Sequence, residues 1–288
     1  MKDLSVLTSL QRKSTMSFDL RAEPQDSDFE SLLQAREHIE LQELGLLQAP
    51  ERLLQALQKY PDGWPQPQRV RWSDSKVYDP QSAAMEELSP QELAQWERSW
   101  EQLQIASEQA ASQCQSLATA QIPQIAALVA AHPQNPVLKN QLSQAYKLAG
   151  QTEAYRELVE SMLLTHPQYL FSRLALAELA LDSGQMDRFP EIFDGRYEIG
   201  EHASVPGQIF HCSAVASFYG LMGHFHLAHG RLLRSAWAWS LVYHAFGSHA
   251  SLPPLTQALL DLPEPAKAQF RQWLCAPSKL KQRKRLKR

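Results

Sequence analysis

Two short stretches decide how this 288-residue chain is read: His132-Pro133-Gln134 and, 34 residues later, His166-Pro167-Gln168. The offset persists beyond them. Leu142 matches Leu176, Gly150 matches Gly184, Gln151 matches Gln185 and Glu157 matches Glu191, while Phe189 answers Tyr155. A period of this length describes one helix hairpin stacked on the next, because a lone hairpin cannot bury its apolar face. The composition agrees: 11 Gly against 18 Pro, with Ala, Leu, Gln and Glu abundant, favours helices punctuated by prolines. The expected fold class is all-α.

Within this period the residues resemble the tetratricopeptide repeat. The first unit, Pro136 to Pro167, supplies Leu142, Ser143, Tyr146, Gly150, Val159, Met162 and Pro167 at that family's places. The second supplies Leu176, Ala177, Ala180, Gly184 and Phe193 and lacks the closing proline. A third, after a 39-residue step from Gly184 to Gly223, supplies Val215, Ala216, Tyr219, Gly223, Ala228 and Leu232, with the five extra residues expected between Asp194 and Pro206. Pro123 to Pro133 resembles the second helix of an earlier, degenerate unit. Small residues let the paired helices approach, and glycine permits the positive φ of the turn.

The resemblance implies a TPR-like α-solenoid of helix hairpins with flanking helices, whose first helices line a concave groove. That groove would present Asn140, Gln144 and Lys147, then Glu178 and Asp182, then Ser217. Ala175, Phe210 and Ala214 replace part of the Lys, Arg and Asn set with which some members of the family clamp a C-terminal carboxylate. The partner it implies is therefore an internal or helical segment of another protein.

Four regions are expected along the chain. Residues 1–60 hold a polar lead-in and a helical hairpin, opened by a capping box at Ser27-Asp28-Phe29-Glu30 and continued from Pro50 with Leu53, Leu54 and Leu57. Residues 61–88 are a Pro-rich linker in which Val70, Trp72, Val77 and Tyr78 suggest a small hairpin or an extended clasp. The repeat domain, 89–277, starts at the cap Ser89-Pro90-Gln91-Glu92. Leu93, Trp96, Trp100, Leu103, Ser107, Ala110, Cys114 and Leu117 then form a heptad stripe read as one long helix. That stripe suits either a coiled-coil dimer or packing on the chain's own next helices. Ala236 to Phe246 continues an apolar helix, and Pro253-Pro254 and Pro263-Glu264-Pro265 open two short helices expected to cap the array. Trp237, Trp239 and Trp273 are read as packing residues of that cap.

The fourth region, the basic tail 278–288, dominates the charge pattern. Lys279, Lys281, Arg283, Lys284, Arg285, Lys287 and Arg288 are seven of the 28 Lys and Arg residues, and none of the 31 Asp and Glu residues lies among them. The tail is open to three readings: a solubilising end, an electrostatic contact with nucleic acid or acidic membrane, or a receptor-read address. Three well-separated cysteines suggest no disulfide framework, and Met1 to Lys13 lacks an apolar core of signal-peptide length. A soluble, cytoplasmic protein without a membrane span is expected.

Seven histidines fall between His202 and His249. His226 and His229 share a helix face, and His224 is placed in the interhelix turn, exposed to solvent. Two ligands do not complete a metal site, so no metal or other cofactor is assigned. The chain has no GxxxxGK[ST] loop, no GxGxxG after a strand and no GxSxG elbow, the usual backbone devices of nucleotide-binding enzymes and elbow-type hydrolases. The expected function is a non-enzymatic protein-protein interaction adaptor. The alternative is an RNA- or ribosome-associated factor acting through its basic tail.

Overall fold

The computed structural model describes residues 38–42, 44, 46–47, 50–60, 62–64, 67–68, 71–73, 88–107, 109–204, 206–247, 249 and 251–275. The Ser27 capping box, Val70, Val77, Tyr78 and the basic residues of 279–288 lie outside the described residues. What is described is mostly helical, as an all-α chain should be. The chain divides into two compact units, Met1–Gln48 with Leu260–Arg288, and Ala49–Leu259.

In the first unit, residues 38–42 and 44 are helical, and Leu41, Leu44 and Leu46 are buried. The unit also holds a helix at Glu264–Cys275, where Phe270 is buried against the edge of Trp273. Both Ala266 N–H and Lys267 N–H donate to the Pro263 carbonyl, so the proline-rich opening read from sequence does start this helix.

The second unit runs through α1 (Pro50–Lys59), α2 (Pro90–Ser107), α3 (Ala111–Ala131), α4 (Pro136–Leu148), α5 (Thr152–Thr165), α6 (Leu170–Asp182), α7 (Phe189–Ile192), α8 (Cys212–Ala228), α9 (Leu232–Phe246) and α10 (Leu252–Leu260). From α2 to α7 each helix packs on the next, α6 also packs on α8, α8 on α9, and α1 returns to lie on α9. The expected cap opens α2: Ser89 N–H donates to Glu92 Oε2 at 2.9 Å and Glu92 N–H to Ser89 Oγ at 3.3 Å. Asn135 caps α4 by accepting from Val137 and Leu138 N–H, and both His-Pro-Gln stretches form the same turn ahead of a first helix.

The heptad stripe is not one helix. It divides between α2, which ends at Ser107, and α3, which starts at Ala111, where Ser107 and Ala110 bring no large apolar side chain to hold a continuous rod. Folding back instead buries Leu103 with Ala118, Ile125, Leu142 and Ala145 in one cluster. Each leucine so buried contributes about 1.5–3 kcal/mol. The apolar stripe is thus used within the chain.

Three first helices end in the same left-handed cap. Gly150, Gly184 and Gly230 have φ of 70°, 68° and 69°. The next N–H reaches back five residues in each case, Gln151 to Tyr146 O, Gln185 to Ala180 O and Arg231 to His226 O. The third turn glycine is therefore Gly230, which corrects the assignment to Gly223. Its step from Gly184 is 46 residues, and the added length holds the 3-10 turn Ile199–His202 and strand β2 (Phe210–His211). Gly223 lies inside α8 seven residues before the turn, the place of Ser143 and Ala177. A Cβ there would overlap the buried Leu255 of α10, so a small residue is required by close packing and not by φ.

The second hairpin also departs from expectation, because α7 has four residues. Asp194 at φ 52° and Gly195 at φ 68° end it. Arg173, with a side chain 9% exposed, donates to the Pro167 carbonyl and to the Ile192 carbonyl, the latter a group that a longer helix would bond internally, and pairs with Asp194 at 2.7 Å. The Pro-rich 61–88 stretch was read as a linker with a local hairpin or clasp. Its described strand β1 (Trp72–Ser73) pairs in parallel with the distant β2, Trp72 opposite Phe210, as an extended clasp would and a local hairpin would not.

Gly223→Ala should destabilise the chain by about 1–3 kcal/mol in urea denaturation, since overpacking outweighs the helix-propensity gain of about 1 kcal/mol. The loss should shrink in a Leu255→Ala background, whereas Gly184→Ala, with open space around its Cβ, should show no such coupling.

Candidate functional site

The groove positions named from sequence come together in part. Lys147 of α4 pairs with Glu178 of α6, Nζ to Oε1 at 2.5 Å, with both side chains more than one-third exposed. Tyr155, buried on α5, donates weakly to Glu178 Oε2 and the Ala175 carbonyl, both at 3.4 Å. Burial, then the Glu178 charge, pushes its hydroxyl above the ordinary tyrosine range. Asp182, one turn beyond Glu178, has its carboxyl pushed up by burial and by Glu178, with Lys147 opposing. One cation and two carboxylates thus bridge two successive first helices.

Asn140 and Gln144 are half-buried on α4, two turns and one turn from its C-terminal end. Ser217 is half-buried near the start of α8 and does not join this group. Counted back from the turn glycines, Gln144, Glu178 and His224 share a place, so the corrected third-unit member of the row is His224. The expectation that His224 sits in an exposed turn fails for the same reason: it lies inside α8 and is half-buried.

The other histidines mostly serve the backbone. His211 Nδ1 accepts from Ser213 N–H and His249 Nδ1 from Ser251 N–H. His202 and His229 bond the Arg196 and Phe225 carbonyls. His226 is buried edge-on against Trp64 with ring centroids 5.2 Å apart, and burial, reinforced by Arg234 and Arg231, holds its imidazole down at about 3. Among the described residues, no three His, Cys, Asp or Glu side chains gather as metal ligands. Nor is any described helix long and apolar enough to cross a membrane.

A second polar cluster escaped sequence reading. Arg234 of α9, its side chain 3% exposed, makes a two-pronged contact with Asp62, Nε to Oδ2 at 2.5 Å and Nη2 to Oδ1 at 2.9 Å. Hydrogen bonds from Arg234 and from Trp64 N–H hold the Asp62 carboxyl below its usual range, against the opposing effect of burial. Trp64 lies 4.0 Å from the Arg231 guanidinium and meets Tyr197 at 4.3 Å. Alongside, the buried Glu198 accepts from Tyr219 Oη at 3.0 Å and from Gln68 N–H at 3.3 Å. Burial lifts the Glu198 carboxyl to about 7, against the lowering pull of those donors and of Arg234. The signal for this cluster was Arg231 and Arg234, one turn apart at the head of an apolar helix, which demanded anions from elsewhere.

Comparison with known proteins returns no matching family model, no matching curated protein and no matching solved structure.

Glu198 binds its proton more tightly folded than unfolded, so its contribution is complete below pH 4.5 and is lost as pH rises through about 7. Glu198→Gln, which stays neutral, should therefore gain on the wild type between pH 5 and pH 8, by on the order of 3 kcal/mol. Urea denaturation at the two pH values measures this, and a pH-independent difference would mean that the carboxylate ionises without penalty.

Proposed function

We propose that this chain is a TPR-like helical-repeat adaptor, without catalytic activity, that holds an internal or helical segment of another protein against the first helices α4 and α6. One observation carries the reading: Lys147, Glu178 and Asp182 meet across two successive first helices whose ends repeat the same glycine cap. Asn140 and Gln144 extend that polar face along α4. Lys147 is already paired, and the local balance is one cation to two carboxylates. A terminal carboxylate entering there would be repelled, whereas a peptide interior bearing Lys or Arg would be attracted. Ser217 stands outside this reading, and His224 takes its place at the edge of the groove.

A photo-crosslinking residue at Gln144 tests the proposal, with one at Leu164, 84% exposed on α5, as control. The Gln144 probe should capture a discrete protein that the Leu164 probe does not, and nuclease should leave the yield unchanged. Glu178→Lys should reduce capture at least tenfold while changing stability by no more than about 1 kcal/mol, because the pair is half-exposed. Capture that disappears with nuclease and with deletion of 279–288 would favour an RNA-associated role through the basic tail. In that case the logarithm of affinity should fall against the logarithm of salt with a slope of about −4 to −5.

A further inference from the structure

The first turn of α9, next to the turn that joins it to α8, holds the Arg234 cation out of water, and the anion that balances it comes from a segment 172 residues away in sequence. That segment is not helical where it is described. Asp62 meets both arms of the Arg234 fork, and two residues later Trp64 enters a socket of Tyr197, Phe225, His226 and the Arg231 guanidinium. Farther along, Gln68 N–H donates to Glu198, Phe210 N–H donates to the Arg71 carbonyl, and Trp72 and Ser73 pair in parallel with Phe210 and His211. A carboxylate clamp, an aromatic socket and main-chain pairing are recurrent means of recognising an extended peptide.

We infer that the α8–α9 turn is a recognition site for an extended peptide carrying aspartate two residues before tryptophan, and that the chain's own Asp62-Gly63-Trp64 fills it as an intramolecular ligand. A guanidinium this deeply buried is strongly disfavoured without an anion, so loss of Asp62 leaves a site selective for a replacement carboxylate. The trans ligand must present both anchors, because the tethered segment acts at an effective concentration on the order of millimolar. Arg231 Nη1, beside Trp64, is buried with no acceptor among the described residues. This site is separate from the α4–α6 face and stands or falls independently of it.

The probe is a capped peptide with the sequence of residues 60–74, added to the full chain carrying Asp62→Ala and Trp64→Ala. It should bind that variant at least tenfold more tightly than wild type and slow hydrogen exchange at residues 225–235. Peptides with the aspartate changed to asparagine, or the tryptophan to alanine, should lose this binding. Equal affinity for both chains, indifference to either anchor, or protection elsewhere would overturn the inference. Should the double variant fail to fold, Asp62→Asn gives the same comparison with less disruption. On wild type, millimolar peptide should speed exchange at 62–73 while 225–235 stays protected, and unchanged exchange would refute displacement.

Discussion

The Ala49–Leu259 unit is governed by the shortness of the second helix in its middle hairpin. A full-length helix after Gly184 would lie against both α6 and α8 and satisfy its own carbonyls. Four residues of α7 cannot. Phe189 and Phe193 still pack inward, with Phe189 stacked on Phe225 at 5.5 Å, but the rest of that face needs another cover. It comes from Tyr197, also stacked on Phe225 at 5.5 Å, and from Trp64, brought from far earlier in the chain. Backbone N–H groups of Phe193, Asp194 and Gly195 take the Phe189, Glu191 and Pro190 carbonyls, Arg173 takes that of Ile192, and the loop that replaces the helix carries Glu198 inward. Two buried ionisable side chains, Arg173 bonded to Ile192 and Glu198 in the loop that follows, therefore attend one truncated element.

Local signals were legible because they act over a few residues. The Ser89 capping box, Pro50 at a helix start and the glycines at 150 and 184 each work within one turn, and sequence reading placed them correctly. Burial of Trp237 and Trp239, the latter bonded to Thr256 Oγ1 at 2.7 Å, likewise fits their reading as packing residues. The third unit was misread because two glycines in or after α8 fit the pattern, seven residues apart. Only the fold separates the one that needs a positive φ from the one that needs space beneath Leu255. The heptad stripe misled in a related way, since its periodicity continues through 107–110 while its packing volume does not.

The residues of the two polar clusters divide along the same line. Lys147, Glu178 and Asp182 were legible as positions on two successive first helices of the 34-residue pattern, and the fold brings them together. The Asp62–Arg234 pair was invisible because no periodicity links residues 172 apart in sequence. Its one trace was compositional: two arginines at the head of α9, ahead of Ala236 and Trp237.

The two polar clusters also differ in what they do energetically, and the difference follows from solvent. Lys147 and Glu178 are screened on their exposed side, so their pair adds at most about 1 kcal/mol and can exchange partners at little penalty. Such a surface suits reversible contact. Arg234 has almost no solvent to fall back on, so removing its carboxylate costs several kcal/mol, about 3–5 for buried pairs generally. An exchange there must be concerted, one acid arriving as the other leaves, and it discriminates sharply among ligands because an imperfect one leaves the charge unsatisfied. In the roles proposed for them, the exposed face would bind fast and permissively, and the buried one would exchange its acid slowly and selectively.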